Sequence, residues 1–242
     1  MKIISMKKTK TIIGFLTPIF ISVLSVSISV AQDANGLLQK VKAKIDQVKD
    51  YEADGKMKTN VVFLKVPVAD VKVFFKNPNK LKIKNDKGFS FVPKGAVSLN
   101  INNIINNGKY SVIDAGTDKT TGVLLKVLKL LPDDENGDIV LSVLYIDEAN
   151  LVIKKAKTTT RENGSYELEM VYGKYMKYAL PDKISFSFNI KDYKLPKGVT
   201  FDFDDGTSTK KSAEAVKNSK GKAEITFNTY TINKGISDAV FK

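Results

Sequence analysis

The chain has 242 residues, a formal net charge of +13 at pH 7, and neither cysteine nor histidine. Without cysteine there is no disulfide framework and no acylated cysteine that would tether a bacterial lipoprotein. Without histidine as well, the usual general base, the usual nucleophile pairs and the soft-metal ligand sets are excluded. The length is typical of one large β domain.

The N-terminus predicts an export signal. A basic segment of ten residues precedes an apolar core over 11–24 that is short for a membrane span. Small residues at the end of this run favour cleavage between Ala31 and Gln32. We therefore expect a signal peptide over 1–31, one mature domain over 32–242 and a periplasmic location; an uncleaved N-terminal anchor is the alternative.

The remaining positive charge is spread over the chain. Lysines alternate with apolar residues and do not form clusters, which disfavours nucleic acid as a partner. The pattern indicates a solvated basic surface, and attraction to anionic lipid headgroups is its functional alternative.

The mature part begins with an amphipathic helix. Apolar residues recur at helical spacing from Leu37 to Val48, with lysines on the opposite face. The pattern predicts a helix that begins at Asp33 or Asn35 and ends by Tyr51.

Period-2 alternation then predicts a series of short antiparallel strands. These strands cover 57–65, 68–76, 80–85, 88–92, 110–114, 139–146, 151–160, 166–172, 184–190, 199–203 and 223–232. The segment Thr121–Leu131 breaks the alternation with a Leu/Val stripe, so it predicts a second helix that ends at Pro132. The polar stretch 204–222 predicts a loop, with a short helical piece at 213–217.

This order of elements predicts a mainly β (α+β) fold. A single curved antiparallel sheet would form a half-open barrel, with the N-terminal helix and the mid-chain helix over its concave face. Such a barrel can hold a small apolar ligand. The candidate cavity residues are the apolar side chains Phe63, Val71, Val73, Phe75, Leu81, Ile83, Leu124, Val127, Leu128, Leu131, Leu144, Met170, Phe186 and Phe188. From the pattern alone, a sealed core is the simpler explanation of these faces, and a one-residue error in strand phase would move a side chain to the opposite face.

The richest acidic cluster does not predict a metal site. Asp202–Gly206 has alternating oxygen ligands like a calcium loop, but Thr207 occupies the sixth position and Ala213 the twelfth, where glycine and glutamate are required. An acidic turn after a strand explains the cluster better. The sequence predicts no catalytic residue, no metal and no cofactor.

The chain resembles the LolA-type periplasmic lipoprotein carriers in the order of its predicted elements and in several stretches of its sequence. Leu37–Asp54 is similar to their opening helix running into the first strand, and Phe74–Lys82 to their strand, Pro turn and basic strand. Tyr178–Ile184 resembles their late Leu-Pro turn, and Asn228–Phe241 their C-terminal strand.

The resemblance implies a half-closed barrel with a helical lid. It also implies a carrier that binds acylated lipoproteins or lipids for delivery to the outer membrane, with an inner-membrane release complex and an outer-membrane receptor as partners. In such carriers we expect an arginine on an early strand to hold the lid shut, whereas the only arginine here is Arg161, in a predicted hairpin. A passive lipid-binding or stress-sensing module without an energy-coupled lid is therefore an alternative. Others are a hydrolase that uses Asp, Glu, Lys and Ser, and a packed structural or adhesive protein. We expect a monomer.

Overall fold

A computed structural model describes residues 26–60, 68–85, 104–105, 109–119, 122–162, 164–189 and 220–241, with the side chains of the first helix described from residue 33. Helix α1 covers Val26–Ile45. Its buried stripe consists of Ala34, Leu37, Leu38, Val41 and Ile45. The N-terminal amphipathic helix is thereby confirmed, although it begins ahead of the predicted cap.

The described residues after the helix form ten strands. They are β1 (Asp50–Asn60), β2 (Ala69–Lys76), β3 (Lys80–Asn85), β4 (Tyr110–Asp118), β5 (Leu125–Pro132), β6 (Ile139–Asp147), β7 (Val152–Thr160), β8 (Ser165–Val171), β9 (Lys183–Asn189) and β10 (Lys220–Ile232). Short 3-10 helices cover Met176–Tyr178 and Asp238–Phe241.

All ten strands form one antiparallel sheet in the order β3-β2-β1-β10-β9-β8-β7-β6-β5-β4. The sheet is curved and unclosed, and β3 and β4 are the outermost of its described strands. The predicted fold class is confirmed. Because side chains alternate between the two faces of a strand, the pairing register assigns each residue to the concave face, where α1 packs, or to the convex face.

The predicted mid-chain helix over 121–131 is wrong, because Leu125–Pro132 forms strand β5. Leu128 and Leu130 are buried on the concave face, and Leu125 and Val127 are buried on the convex face. A strand buried on both faces reads as a continuous apolar run, which periodicity cannot distinguish from a buried helix.

Most other predicted strands are confirmed with shifted ends. The predicted strand 80–85 coincides with β3, whereas β1 begins seven residues before the predicted 57–65. The predicted strands 88–92 and 199–203, the acidic turn Asp202–Gly206 and the helical piece 213–217 lie outside the described residues.

Two side chains connect the end of β10 to the start of β1. The Asn233 side-chain oxygen accepts a hydrogen bond from the backbone N–H of Lys49 at 2.7 Å, and its amide donates to the Gln47 carbonyl at 2.9 Å. The Asp50 carboxylate accepts from the backbone N–H groups of Lys234 and Gly235, both at 3.0 Å. These bonds hold the connection between α1 and β1 against the residues that follow β10.

Candidate functional site

Ten of the candidate cavity residues lie on the concave face of the sheet. The register places five of them on β2 and β3 and five on β5, β6, β8 and β9. They are Val71, Val73, Phe75, Leu81, Ile83, Leu128, Leu144, Met170, Phe186 and Phe188.

Three of the other four candidates lie elsewhere in the described structure. Leu124 precedes β5 and is 55% exposed, and Leu131 is 39% exposed on the convex face. Val127 is buried, but it pairs with Tyr145 on the convex face. All three were selected as members of a predicted helix, so their positions follow from the error at β5. Phe63 lies outside the described residues.

The concave face is divided into two halves by what packs on it. Over β4 to β9, the apolar stripe of α1 joins the strand residues in one core cluster. Leu128, Leu144, Met170, Phe186 and Phe188 all belong to this helix-covered cluster. Their side chains are occupied by packing against other protein side chains and have the character of a sealed core.

Among the described residues, the second core cluster on the concave face is formed by sheet residues alone. Its buried members are Ala53, Met57, Val71, Val73, Ile83, Ile225 and Phe227, with Tyr51, Leu81, Ile184 and Tyr230 packed against them. They come from β1, β2, β3, β9 and β10, and among the described residues no helix contributes to this cluster. We call it the open-half cluster.

Concave positions of the open half carry no charged side chain within the described strands. Along β1, Tyr51, Ala53, Gly55 and Met57 face inward, whereas Glu52, Asp54, Lys56 and Lys58 face outward. An uncharged apolar face suits a hydrocarbon ligand, because a charge buried beside it would need a partner or water. Sequence reasoning missed the β1 and β10 members, and the alternation of Ile225 and Phe227 is the signal that could have identified two of them.

Aromatic side chains line the end of the open half. The Tyr230 ring centroid lies 5.3 Å from that of Tyr51, 4.9 Å from that of Tyr175 and 5.0 Å from that of Phe227. The Tyr230 hydroxyl donates to the Pro181 carbonyl at 2.7 Å. Burial raises the pKa of both the Tyr51 and the Tyr230 phenols. Both hydroxyls are therefore neutral near pH 7.

A separate groove of about 460 Å³ runs beside α1. It is lined by Asn35, Gln39, Lys42, Ile105, Lys109, Tyr110 and Asp133. Most of these side chains are polar, so the groove lacks the apolar lining that an acyl chain requires.

Arg161 has a structural partner. Its guanidinium donates to the Gly137 carbonyl at 3.0 Å through Nε and to the Glu135 carbonyl through an Nη nitrogen. These bonds connect the β7–β8 turn to the loop between β5 and β6, on the surface. The arginine thus lies away from the early strand on which a lid-closing arginine is expected.

The described parts of the chain offer no metal site, since no group of three or more His, Cys, Asp or Glu side chains comes together there. Within the same residues, no helix has both the length and the apolar character needed to cross a membrane.

Comparison with known proteins finds similarity at the level of the fold. No family model and no curated protein matches the sequence. A domain from Vibrio parahaemolyticus described as an outer membrane lipoprotein-sorting protein superposes with a TM-score of 0.53 at 13% identity, over 87% of this chain and 97% of that one.

Two further solved structures are similar to this chain in fold to about the same degree. A DUF1329 family protein from Desulfovibrio piger gives a TM-score of 0.55 at 12% identity, over 88% of this chain and 97% of the other. A LolA superfamily protein from Nitrosomonas europaea gives 0.51 at 10% identity, over 85% and 97%. The LolA-like fold implied by the sequence resemblance is thereby confirmed.

Proposed function

We propose that the protein is a non-catalytic carrier in the bacterial periplasm. It binds the acyl chains of lipoproteins or lipids in the open half of the concave face for delivery to the outer membrane. The observation that supports this most directly is the open-half cluster, an uncharged apolar sheet face to which α1 does not contribute. The fold shared with a described lipoprotein-sorting domain is consistent with it.

The chemistry of the open half is suited to hydrocarbon. Each methylene removed from water contributes about 0.8 kcal/mol, so one acyl chain can reach micromolar affinity after the entropic cost of binding. Branched and aromatic side chains such as Val73, Ile83 and Phe227 offer van der Waals contact without hydrogen-bonding groups that would have to be desolvated.

An arginine-controlled lid is not part of this proposal, because Arg161 is engaged in a loop contact. Loading and release would then depend on the relative affinities of the donor, the carrier and the acceptor. In this proposal, an inner-membrane release complex would donate the acylated molecule to the carrier, and an outer-membrane receptor would accept it.

Native mass spectrometry of protein purified from the envelope without detergent tests the proposal. We expect acylated molecules to leave the protein when it is denatured, and the delipidated protein to bind a fluorescent fatty acid. The proposal would be refuted if the purified protein carried no acylated molecule and also failed to bind the added fatty acid.

A matched pair of variants tests the location of the site. Val73 lies in the open-half cluster and Val41 in the helix-covered cluster, and both are almost fully buried. Replacing either by threonine keeps the shape and adds a hydroxyl that needs a hydrogen-bond partner. We expect Val73→Thr to weaken fatty acid binding about tenfold, from a penalty of roughly 1–2 kcal/mol, and Val41→Thr to leave it unchanged. Equal effects of the two variants would exclude the open half as the site.

A further inference from the structure

Thr59, near the end of β1, has a buried hydroxyl without a hydrogen-bond partner. The residue is 7% exposed, and its Oγ1 atom is closed off from solvent. Seven polar or charged residues are buried among those described, and each of the other six donates or accepts at least one hydrogen bond. Burying a hydroxyl without a partner is unfavourable, so this exception needs a reason in the function of the protein.

The pairing register places Thr59 on the concave face, next to the open-half cluster. Met57 precedes it on the same face of β1, and Ala223 is opposite to it on β10. Phe186 of β9 follows in the same row, opposite to Ala223. Alanine and phenylalanine side chains have no hydrogen-bonding group, and a methionine sulfur is only a weak acceptor. The hydroxyl is therefore a polar group set among apolar side chains.

The middle of β1 has small residues on the concave face. Ala53 and Gly55 take up less space above the sheet than the residues paired with them, which are Val73 on β2 and Phe227 on β10. A hydrocarbon chain that lies along β1 would contact the larger side chains of both neighbouring strands. One end of this path is at Thr59, which lies four residues beyond Gly55 on the same face.

We propose that the Thr59 hydroxyl donates a hydrogen bond to the carbonyl oxygen at the head of a bound acyl chain. The inference rests on the acyl-binding function proposed above and adds the class of ligand, which is a molecule with a carbonyl group next to its hydrocarbon chain. Esters, amides and fatty acids share this group, and a carbonyl oxygen accepts the bond that a threonine hydroxyl can donate. With its carbonyl at Thr59, the ligand extends its hydrocarbon along β1 past Gly55 and Ala53.

A ligand reaches the hydroxyl when a neighbouring side chain moves. Met57 is suited to this movement, because an unbranched methionine side chain adapts its conformation to the space around it. In the unliganded chain Met57 is 5% exposed and belongs to the open-half cluster. Since the Thr59 hydroxyl has no partner to give up, the bond to the ligand forms without the loss of another bond within the protein.

Two lysophosphatidylcholines that differ only in the carbonyl group test this inference. One carries its chain through an ester, and the other carries a chain of the same length through an ether, so only the first offers the carbonyl oxygen. Isothermal titration calorimetry below the micellar concentration measures their affinities for the delipidated protein. We expect the wild type to bind the ester about fivefold more tightly than the ether, which is the usual effect of one neutral hydrogen bond.

Thr59→Val removes the hydroxyl and keeps the shape of the side chain. It should bind the ester about fivefold more weakly than the wild type does, and its affinity for the ether should change by less than about twofold. Thr59→Ser keeps a hydroxyl and should retain most of the preference for the ester. Thr158→Val is the matched control, because Thr158 is also buried on the concave face but is bonded to Ser142 at 3.1 Å. This control should leave the ratio of the two affinities unchanged.

Thermal unfolding of the unliganded variants provides a second readout. Thr59→Val should raise the midpoint of unfolding, because it removes a buried hydroxyl that has no partner. Thr158→Val should lower the midpoint, because it leaves the buried Ser142 hydroxyl without its bond. The same substitution is therefore expected to have opposite effects on stability at the two positions.

The inference would be overturned by equal affinity of the wild type for ester and ether, by equal weakening of both lipids in Thr59→Val, or by a lower midpoint for Thr59→Val. A wild type that binds neither lipid would overturn it as well. Binding of the ether by the wild type supports the acyl-binding function on its own, since that lipid has no carbonyl group. The acyl-binding function fails only if the fluorescent fatty acid is not bound either, so the two failures are distinguishable.

Discussion

Glu224 is expected to make the stability of the central strands depend on pH. It lies on the convex face of β10, where its carboxylate is 2.6 Å from the Lys183 ammonium, 3.2 Å from that of Lys222 and 2.9 Å from the Ser185 hydroxyl. The bond from Lys183, assisted by Ser185 and Lys222, lowers the pKa of Glu224 from 4.5 to about 2. The charged form of this side chain is therefore favoured in the folded state.

The magnitude follows from the shift. A folded-state pKa below the unfolded value contributes stability above the unfolded pKa, and this stability is lost as the pH falls through the folded pKa. A shift of this size corresponds to at most about 3 kcal/mol. Because 22% of the Glu224 side chain is exposed and water screens the pairs, we expect Glu224→Gln to lower the free energy of unfolding by about 1–2 kcal/mol at pH 7.

Urea denaturation of both proteins between pH 7 and pH 3 provides the test. The difference between wild type and Glu224→Gln should be constant down to about pH 5 and then shrink to less than half of its neutral value by about pH 3, as the window between the two pKa values is crossed. Glu162→Gln, in the exposed β7–β8 turn, should differ from wild type by less than about 0.5 kcal/mol throughout. A difference for Glu224→Gln that stays constant to pH 3 would refute the electrostatic explanation.

Two further substitutions test the packing of the core and the contact between the end of β10 and the start of β1. Phe186→Ala should lower the free energy of unfolding by about 3–5 kcal/mol, because the ring is almost fully buried against Phe188; a loss below about 1 kcal/mol in urea denaturation would contradict the packing described for it. Asn233→Ala removes the bond from the Lys49 N–H at a residue whose φ is +55°, so we expect a loss of about 1–2 kcal/mol. Asn233→Gly removes the same bond but tolerates that φ, so it should lose less stability than Asn233→Ala. Thermal unfolding of the two variants measures the difference, and an equal loss would contradict a role for the backbone conformation.

Strands with a clear pattern in their own sequence could be predicted, whereas strands that depend on contacts with other strands could not. The strand β3 has strict alternation of lysine with apolar residues and was predicted with its correct ends. The start of β1 was missed because Glu52, Asp54 and Gly55 have low strand propensity. Lys72, from the neighbouring strand, lies 2.7 Å from Glu52 and 3.7 Å from Asp54, and such a cross-strand contact is not visible in a local pattern.

The sequence predicted which face of each strand the candidate residues lie on, but not which part of that face α1 packs against. Alternation placed Val71, Val73 and Phe75 on one face of β2, and the register agrees. The same alternation placed Phe186 and Phe188 on one face of β9, and the register agrees there too. Nothing in either strand indicates that α1 packs over the second pair and not over the first, because that depends on where a distant helix lies.

The dimensions of α1 explain why the concave face divides into halves. A helix of 20 residues is about 30 Å long and about 10 Å wide with its side chains. Ten strands spaced about 4.8 Å apart span about 43 Å from edge to edge, whereas the six strands β4 to β9 span about 24 Å. A helix of this length is shorter than the full width of the sheet, which agrees with its sharing a core cluster with β4 to β9 only. Among the described residues, the sheet therefore has an apolar cluster to which α1 does not contribute, and this is the face proposed above to bind acyl chains.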